Sequence, residues 1–449
     1  MNRILVHRLL RVVLLCASTV VSLPASAQAQ SLVEAFALAR DNDPRFRASK
    51  AEFNAVETLV DQAGSGYLPS ARLDIERMDT RQQIIDSRNP IFGAGVTNFP
   101  TFTRALSIAQ PIFRQDLIER MRQTKAIVKQ AHYTFLAAEQ ELLLRTTTGY
   151  LVLLAASDSL ALATAERQAV RRALDLARER LGAGLGTVTN LYDAQARLAV
   201  TQAREIEAQN RLRDARQALR EITGKAFDRP QTLREDFKVE SPDPTDVERW
   251  LETALAQNLG LNALRESVEV ARQEIDRQKA GRYPSLTLLL QKNRRDSGST
   301  LFGGGSEVDT TDASLKLSVP LYDGGLISAV TREAAFRYTK AQEELEAERR
   351  SVDRATRAYY EGVLAGVGLV DALRQSVVAQ ERALESRELG LQSGLITLLP
   401  VLDAQRDLYL ARRDYAQSRY DYLLNRLRLQ QVAGTLSESD LQGVSAALK

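Results

Sequence analysis

Cysteine and histidine are almost absent from this chain of 449 residues. The one cysteine, Cys16, lies within the first 29 residues, and the chain beyond them has a single histidine, His132. Disulfide bonds and a thiol nucleophile are therefore excluded from residues 30–449. A lone histidine is more typical of a surface or packing residue than of a metal ligand. The glycine-rich stretches FGAGV and FGGGS do not lead from a strand into a helix, as a phosphate-binding loop does. We expect no enzyme activity, no metal site and no cofactor.

The chain also lacks an excess of charge of one sign and, beyond residue 29, long uncharged apolar runs. Without Arg3, Arg8 and Arg11, the 60 basic side chains become 57, which equals the 57 acidic ones. A neutral chain with interspersed charges gives no electrostatic reason to bind nucleic acid. Because charges interrupt the apolar stretches, we expect no transmembrane helix. Transmembrane β-strands alternate in polarity and escape such a search.

The first 29 residues have the composition of a secretory signal peptide. Three arginines precede an apolar run over residues 12–23, and small residues then offer cleavage after Ala27 or Ala29. The run is shorter than a membrane-spanning helix requires, which favours a cleaved signal over the alternative, an N-terminal anchor. Cys16 does not follow a small residue, so we expect no lipid anchor.

The remaining sequence contains two copies of one layout. The stretch GLGTVTNLYDAQARL (184–198) corresponds to GLITLLPVLDAQRDL (394–408) without a gap, at an offset of 210. GYLPSARLDI (66–75) corresponds to GRYPSLTLLL (281–290), and LSIAQPIF (106–113) corresponds to LKLSVPLY (315–322), in the same order. We interpret the chain as a tandem duplication. Copy one covers 30–223, a connector covers 224–246, copy two covers 247–436, and a C-terminal tail covers 437–449.

Both copies predict the same order of elements, which is helix, strand, strand, long helix, helix. Asp43 and Pro44, a cap residue and a first-turn proline, begin the first helix. Copy one predicts helices 44–67, 115–181 and 189–223, with Thr189 as an N-cap, and strands at about 70–82 and 101–113. Copy two predicts helices 260–282, 325–391 and 397–433, and strands at about 284–293 and 311–322.

The predicted helices have lengths that match one another. A helix over 115–181 is about 100 Å long, and the two shorter helices of each copy together have about the same length. Two short helices stacked end to end could therefore flank one long antiparallel helix, twice per chain. Heptad positions in the returning helices alternate large residues (Leu191, Leu198) with small ones (Ala194, Ala208), as in closely packed coiled coils. The heptads alone also fit a helical hairpin of some other scaffold.

The four predicted strands alternate in polarity. In copy two, Leu286, Leu288 and Leu290 alternate with Ser285 and Thr287. This pattern fits membrane β-strands and, almost as well, a small soluble sheet. Aromatic residues occur at all four predicted strand–helix junctions, as in an interfacial girdle: Tyr67, Phe113, Tyr283 and Tyr322. Four strands are too few to close a membrane barrel, and open sheet edges are not tolerated in lipid, so several chains would have to share one barrel.

Together, the signal peptide, the duplicated layout, the prolines at the junctions and the block from Val401 to Leu441 resemble the TolC family of outer-membrane exit ducts. The resemblance covers essentially the whole chain after the signal peptide. It implies a mostly α-helical fold with a membrane β part, in which a homotrimer combines four strands per chain into one 12-stranded barrel above a long α-helical tunnel. It also implies a periplasmic adaptor protein, an inner-membrane ABC or proton-driven transporter and outer-membrane lipid as partners, and no catalysis.

The resemblance assigns the two corresponding stretches to two turns at the far tip of the tunnel, which is the closed periplasmic aperture. It implies that the turns dock an adaptor through Gly184, Leu185, Gly394 and Leu395. The aperture candidates are Thr189, Asn190, Asp193, Pro400 and Asp403. Relatives close this aperture with two acids three residues apart, an arginine and a tyrosine. Here those positions hold Pro400 and Asp403, Ile396 and Leu391, so Asp403 alone remains as an acid.

Two interpretations of Asp403 stay open. If its carboxylate faces the tunnel axis, three chains create a negative ring that favours cations. Otherwise Asp403, like Asp193, is an acid near the start of a helix that is stabilised by the helix dipole.

A soluble periplasmic coiled-coil adaptor or scaffold is the alternative to a duct. Adaptors also contain long helical hairpins, but they lack the four strands with aromatic junctions. The cargo, secreted protein or small molecule, is open, because ducts of both kinds share one architecture.

Overall fold

The structure is a computed structural model that describes residues 30–86, 95–299 and 304–449. The predicted signal peptide lies outside the described residues, and the stretches FGAGV and FGGGS lie partly outside them. Copy one consists of α1 (Leu32–Asn42), α2 (Pro44–Glu57), α3 (Leu59–Ser65), β1 (Ser70–Ile84), β2 (Gly95–Arg114), α4 (Gln115–Gly182) and α5 (Val188–Thr223). Copy two consists of α6 (Val247–Gln257), α7 (Leu259–Lys279), β3 (Ser285–Ser297), β4 (Ser306–Ser318), α8 (Leu326–Gln392) and α9 (Leu398–Ala433), and α10 (Glu438–Ala446) follows.

The long helices and the returning helices agree with the predicted ranges to within one residue. The prediction that Thr189 is the N-cap of α5 is wrong. The N-cap is Thr187, whose hydroxyl accepts a hydrogen bond of 3.2 Å from the Asn190 N–H. Both residues are threonines with one residue between them, so composition could not distinguish them.

The short helices differ more from the prediction. The helix predicted over 44–67 is broken at Thr58, whose hydroxyl donates to the Ala55 carbonyl (2.7 Å) and so competes with the backbone pattern. Helices α1 and α6 were missed because each ends at the residue that caps the next helix, Asp43 or Asn258. The predicted tail contains α10, which begins with a capping box formed by Ser437 and Asp440.

The predicted connector is part of the core. Phe227 is fully buried, and Leu233 forms an isolated antiparallel bridge with Leu448. Gln30 and Pro230 form a parallel bridge. The connector therefore ties the beginning of copy one to the residues after copy two.

All four strands form one antiparallel sheet in the order β1-β2-β3-β4. β1, β2 and β3 extend further from the helices than predicted, because their outer ends do not alternate regularly between apolar and polar residues. β4 begins earlier than predicted and ends at Ser318 rather than at 322, since Pro320 cannot continue the ladder. The pairing of β2 with β3 joins the two copies within the sheet.

The register separates the sheet into an apolar and a polar face. Residues directly opposite each other share a face, as Ile108 does with Leu290 and Leu288 with Leu315. The apolar face contains Leu73, Ile75, Leu106, Ile108, Leu286, Leu288, Leu290, Leu315 and Leu317. The opposite face contains mainly small and polar residues such as Asp74, Ser107, Asn293 and Ser314. The aromatic residues predicted at the junctions are all exposed there, from 39% for Tyr67 to 90% for Tyr322.

The helices form two long antiparallel hairpins. α4 packs against α5 and α8 packs against α9, while α7 contacts both α4 and α8, and α4 also contacts α9. The main core lies near the middle of the long helices and includes the buried tyrosines Tyr150, Tyr420 and Tyr422. α4 and α8 each contain an 18-residue stretch that is apolar enough to cross a membrane by length and composition. The expectation that charges interrupt every such stretch is therefore wrong. Core helices of soluble proteins can be equally long and apolar, so these two stretches are weak evidence for membrane-spanning helices.

Candidate functional site

The two turns that join α4 to α5 and α8 to α9 have the same local structure. Gly184 and Gly394 have φ angles of 73° and 74°, a left-handed conformation that glycine adopts without a steric penalty. The next N–H in each turn reaches back five residues, from Leu185 to the Arg180 carbonyl (2.8 Å) and from Leu395 to the Gly390 carbonyl (2.9 Å). This is a Schellman ending of the helix. The repeated Gly-Leu of the sequence thus encodes one helix ending, used once per copy.

Leucine side chains protrude from both turns. Leu185 is 80% exposed and Leu395 is 81% exposed. Between the turns lies a cavity of about 240 Å³, whose lining includes Arg180, Asn190 and Ile396. The tip therefore presents two similar apolar projections, of which Leu185 also lines the cavity.

A small hydrophobic cluster, called the tip cluster below, joins the two hairpins just behind the turns. It draws buried residues from all four helices: Val170, Ala173, Leu174, Ala177, Ala194, Leu391, Leu398, Val401 and Leu402. The burial of these side chains fixes how the hairpins sit against each other at the tip.

An ion pair beside this cluster connects the hairpins directly. Nη2 of Arg197, on α5, lies 2.7 Å from Oδ1 of Asp403, on α9. The Arg197 side chain is 17% exposed and that of Asp403 is 38% exposed, so the pair is partly shielded from water. Arg406, one turn further along α9, lies 3.5 Å from the same oxygen. The recorded contacts of the Asp403 carboxylate are thus with arginines, and it is the sixth residue of α9, beyond the turn where the helix dipole acts.

The other aperture candidates lie around this pair. Thr189 is exposed, Asn190 uses its backbone N–H for the Thr187 cap, and Asp193 has no ion pair among the residues that the structure describes. Pro400 is the third residue of α9, where proline has no hydrogen bond to lose. Its carbonyl accepts a bond of 3.4 Å from Arg387.

Ile396 and Leu391, at the remaining two positions where the resemblance predicts latch residues, make apolar contacts. Ile396 lies against Gly390, and Leu391 is buried in the tip cluster. The Leu391 carbonyl accepts a bond of 3.0 Å from Nη2 of Arg180, which ties the end of α8 to α4. Sequence reasoning missed Arg180 and Arg197, because nothing local distinguishes them among 60 basic residues.

Further ion pairs lie inside the hairpins. Glu166 of α4 is buried and accepts a hydrogen bond from Arg204 of α5 at 3.2 Å, and Arg167 pairs with Glu205 at 2.7 Å. Burial raises the pKa of Glu166, and the attraction of Arg204 only partly offsets this. Within residues 30–86, 95–299 and 304–449, no group of three or more histidine, cysteine or acidic side chains could hold a metal ion.

The fold and the tip define a class of protein, the outer-membrane channels with a helical tunnel. The sequence profile of the outer membrane efflux protein family matches residues 36–225 and 250–435, one range in each copy. The outer-membrane protein TolC of Vibrio cholerae is 33% identical over 432 residues, which cover 95% of this chain and 96% of that protein. The proteases secretion protein PrtF of Dickeya chrysanthemi is 29% identical, over 94% of this chain and 92% of that protein.

The same architecture occurs in a solved structure. The CmeC outer-membrane channel of Campylobacter jejuni superposes with a TM-score of 0.78, covering 93% of this chain and 90% of that one, at 15% identity. The chain belongs to the TolC family, that is, to the outer membrane efflux proteins. It is an outer-membrane exit duct for type I secretion or efflux, as predicted from the sequence, and the soluble adaptor is not favoured.

Proposed function

We propose that three copies of this chain form a passive duct that docks, through its tip, onto a periplasmic adaptor and an inner-membrane transporter. The duct opens when the hairpins separate at the tip. It performs no catalysis and needs no cofactor, in keeping with relatives that are named as channels and secretion proteins.

One observation carries the proposal, namely a four-stranded sheet with one apolar face that continues directly into hairpins about 100 Å long. In the described part of the chain, β1 and β4 each pair with one strand only. Lipid supplies no hydrogen-bond partners for the free edges, so the edges of neighbouring copies must pair.

The proposed gate is the Arg197–Asp403 ion pair, supported by the Arg180–Leu391 hydrogen bond. Both contacts join the two hairpins, and both lie next to the apolar tip cluster. Separation of the hairpins breaks these contacts and exposes the cluster. Thr189, Asn190, Asp193 and Pro400 then line the aperture without acting as latches.

The proposed docking surface consists of the two Schellman turns, with Gly184 and Gly394 setting the backbone and Leu185 and Leu395 providing the contacts. Their exposure and their equivalence in the two copies support this assignment. Full-length similarity to PrtF and to the alkaline protease secretion protein AprF of Pseudomonas aeruginosa (28% identical) favours an exported protein as cargo over a small molecule.

A pair of neighbouring substitutions on β4 tests the duct. Leu315→Arg introduces a charge on the apolar face, which costs about 2–4 kcal/mol near the bilayer midplane. Ser314→Arg introduces the same charge on the polar face. We expect the Leu315 variant to be lost from the outer membrane and from the detergent-extracted trimer, whereas the Ser314 variant remains and shows altered conductance in planar bilayers. A wild-type chain that is soluble without detergent, or equal effects of the two variants, would refute the proposal.

A further inference from the structure

Three basic side chains form a patch on the apolar face of the sheet, on the side away from the helices. Arg104 lies on β2, and Lys292 and Arg294 lie on β3. Arg104 is directly opposite Arg294, and Lys292 is opposite Leu106, so the three share the face that carries Leu106. All three side chains are exposed. We call these residues the basic patch.

The charges of the basic patch are not balanced within the chain. Like charges directly opposite each other on neighbouring strands are destabilising, yet Arg104 faces Arg294. Arg294 has a close partner in Glu307, and Lys292 lies 3.8 Å from Asp309. Among the ion pairs of the described residues, none involves Arg104. Three basic side chains thus have two acidic partners, and the patch keeps an excess of positive charge with two arginines side by side.

The basic patch lies at a defined height. Between Tyr283, at the aromatic junction, and Arg294, the chain rises about 36 Å along its own direction at about 3.3 Å per residue. At a strand tilt of about 40°, this corresponds to about 28 Å of height, close to the apolar band of about 25 Å that outer-membrane barrels present. Further from the helices the same face carries the acids Asp79 and Asp296 together with Arg77, which pairs with Asp79, and Arg81. The basic patch therefore contains the first basic side chains above the apolar band, and beyond it charges of both signs occur.

We propose that the basic patch binds the phosphate groups of the anionic glycolipid, lipid A, in the outer leaflet of the outer membrane. Residues directly opposite each other have Cβ atoms about 5 Å apart, so the guanidinium groups of Arg104 and Arg294 can converge on one phosphate. Arginine binds phosphate with two parallel hydrogen bonds. The acyl chains of the lipid then lie along Leu73, Leu106 and Leu290, next to the patch on the same face. Three chains provide three such sites around the barrel.

The test measures lipid binding to the purified, detergent-solubilised full-length protein by native mass spectrometry. The probes are bisphosphorylated lipid A and the same lipid with its phosphates removed. We expect the wild-type protein to prefer the phosphorylated lipid about tenfold or more, because each cation near an anionic lipid surface adds about 1 kcal/mol. The double variant Arg104→Gln, Lys292→Gln should lose most of this preference.

Arg295→Gln is the matched control. Arg295 is the neighbour of Arg294 on β3 but is opposite Thr103, on the polar face, so its loss should change the preference less than about twofold. A wild-type protein that binds both lipids equally, or a control that loses as much as the double variant, would overturn the proposal. If the double variant does not assemble, the single variant Arg104→Gln is measured in its place, because it breaks no ion pair among the described residues. The proposal rests on the outer-membrane location. Conductance is recorded for every variant. A protein that conducts ions but does not prefer the phosphorylated lipid would refute the lipid site and leave the proposed duct intact.

Discussion

Removal of the charge at Asp403 should make the duct open more readily. Asp403→Asn keeps the size of the side chain and leaves Arg197 without a carboxylate partner. Exposed ion pairs contribute about 0.2–1 kcal/mol, and hydrogen bonds to charged groups contribute about 1.5–3 kcal/mol. With a distance of 2.7 Å and side chains that are 17% and 38% exposed, this pair falls between those ranges, at about 1–2 kcal/mol per chain.

The effect should be multiplied by the number of chains that open together. If three pairs break in one step, the loss is about 3–6 kcal/mol per trimer, and each 1.4 kcal/mol corresponds to a factor of ten. We therefore expect the ratio of open to closed channels to rise by at least about a hundredfold. Single-channel recording in planar bilayers measures this ratio. High salt should raise it in the wild-type channel and have less effect on the variant, because salt screens a partly exposed pair.

Asp193→Asn provides the matched control. Asp193 occupies the same position in α5 as Asp403 does in α9, and it has no ion pair among the described residues. Its substitution should leave the open fraction unchanged. A second check exchanges the charges in the double variant Arg197→Asp, Asp403→Arg, which should restore closure in part. Reduced cation selectivity with an unchanged open fraction would show that Asp403 acts as a charged ring, and the gating argument would be wrong.

Two further predictions concern the tip turns and the helices next to the membrane. Leu185→Ser with Leu395→Ser should weaken adaptor binding about tenfold or more, since a buried leucine contributes about 1.5–3 kcal/mol; co-purification with the adaptor measures this, and Val200→Ser, exposed on α5, is the control. Burial raises the pKa of Glu274, but hydrogen bonds from Arg277, Gln278 and Gln123 outweigh it and lower the pKa to about 2. A lowered pKa means that the carboxylate stabilises the contact of α7 with α4 above about pH 4.5 and that this stabilisation is lost as the pH falls towards 2. Thermal unfolding between pH 6 and pH 3 should therefore depend less on pH in Glu274→Gln, and an identical dependence would contradict the assignment.

The regular parts of this fold could be predicted because each depends on a local pattern. The ends of the long helices follow from the Gly-Leu turns, and the sheet follows from alternation near the helices, where leucine pairs with leucine. The outer part of β1, with Arg81 and Gln82, carries no such alternation, so the extent of the strand depends on its pairing with β2. Short helices that share a capping residue, such as α1 and α2 at Asp43, resemble one interrupted segment.

Of the candidate site, only the backbone conformation of the two turns could be predicted. Gly184 and Gly394 are recognisable because a left-handed turn restricts the residue type. The pairing of Arg197 with Asp403 spans 206 positions and depends on how the two hairpins pack, which no local pattern records. The predicted aperture candidates lie near the two turns, and the partner of Asp403 is not among them.

The two matching turns have a consequence for the symmetry of an assembled duct. Three chains would present six ends of nearly one shape, arranged as a ring that is almost sixfold although only three subunits build it. A partner with six identical contact points could seat all of them. The ends with Asn190 and those with Pro400 are chemically distinct, so neighbouring points of that partner would meet alternating surfaces and bind with two different strengths.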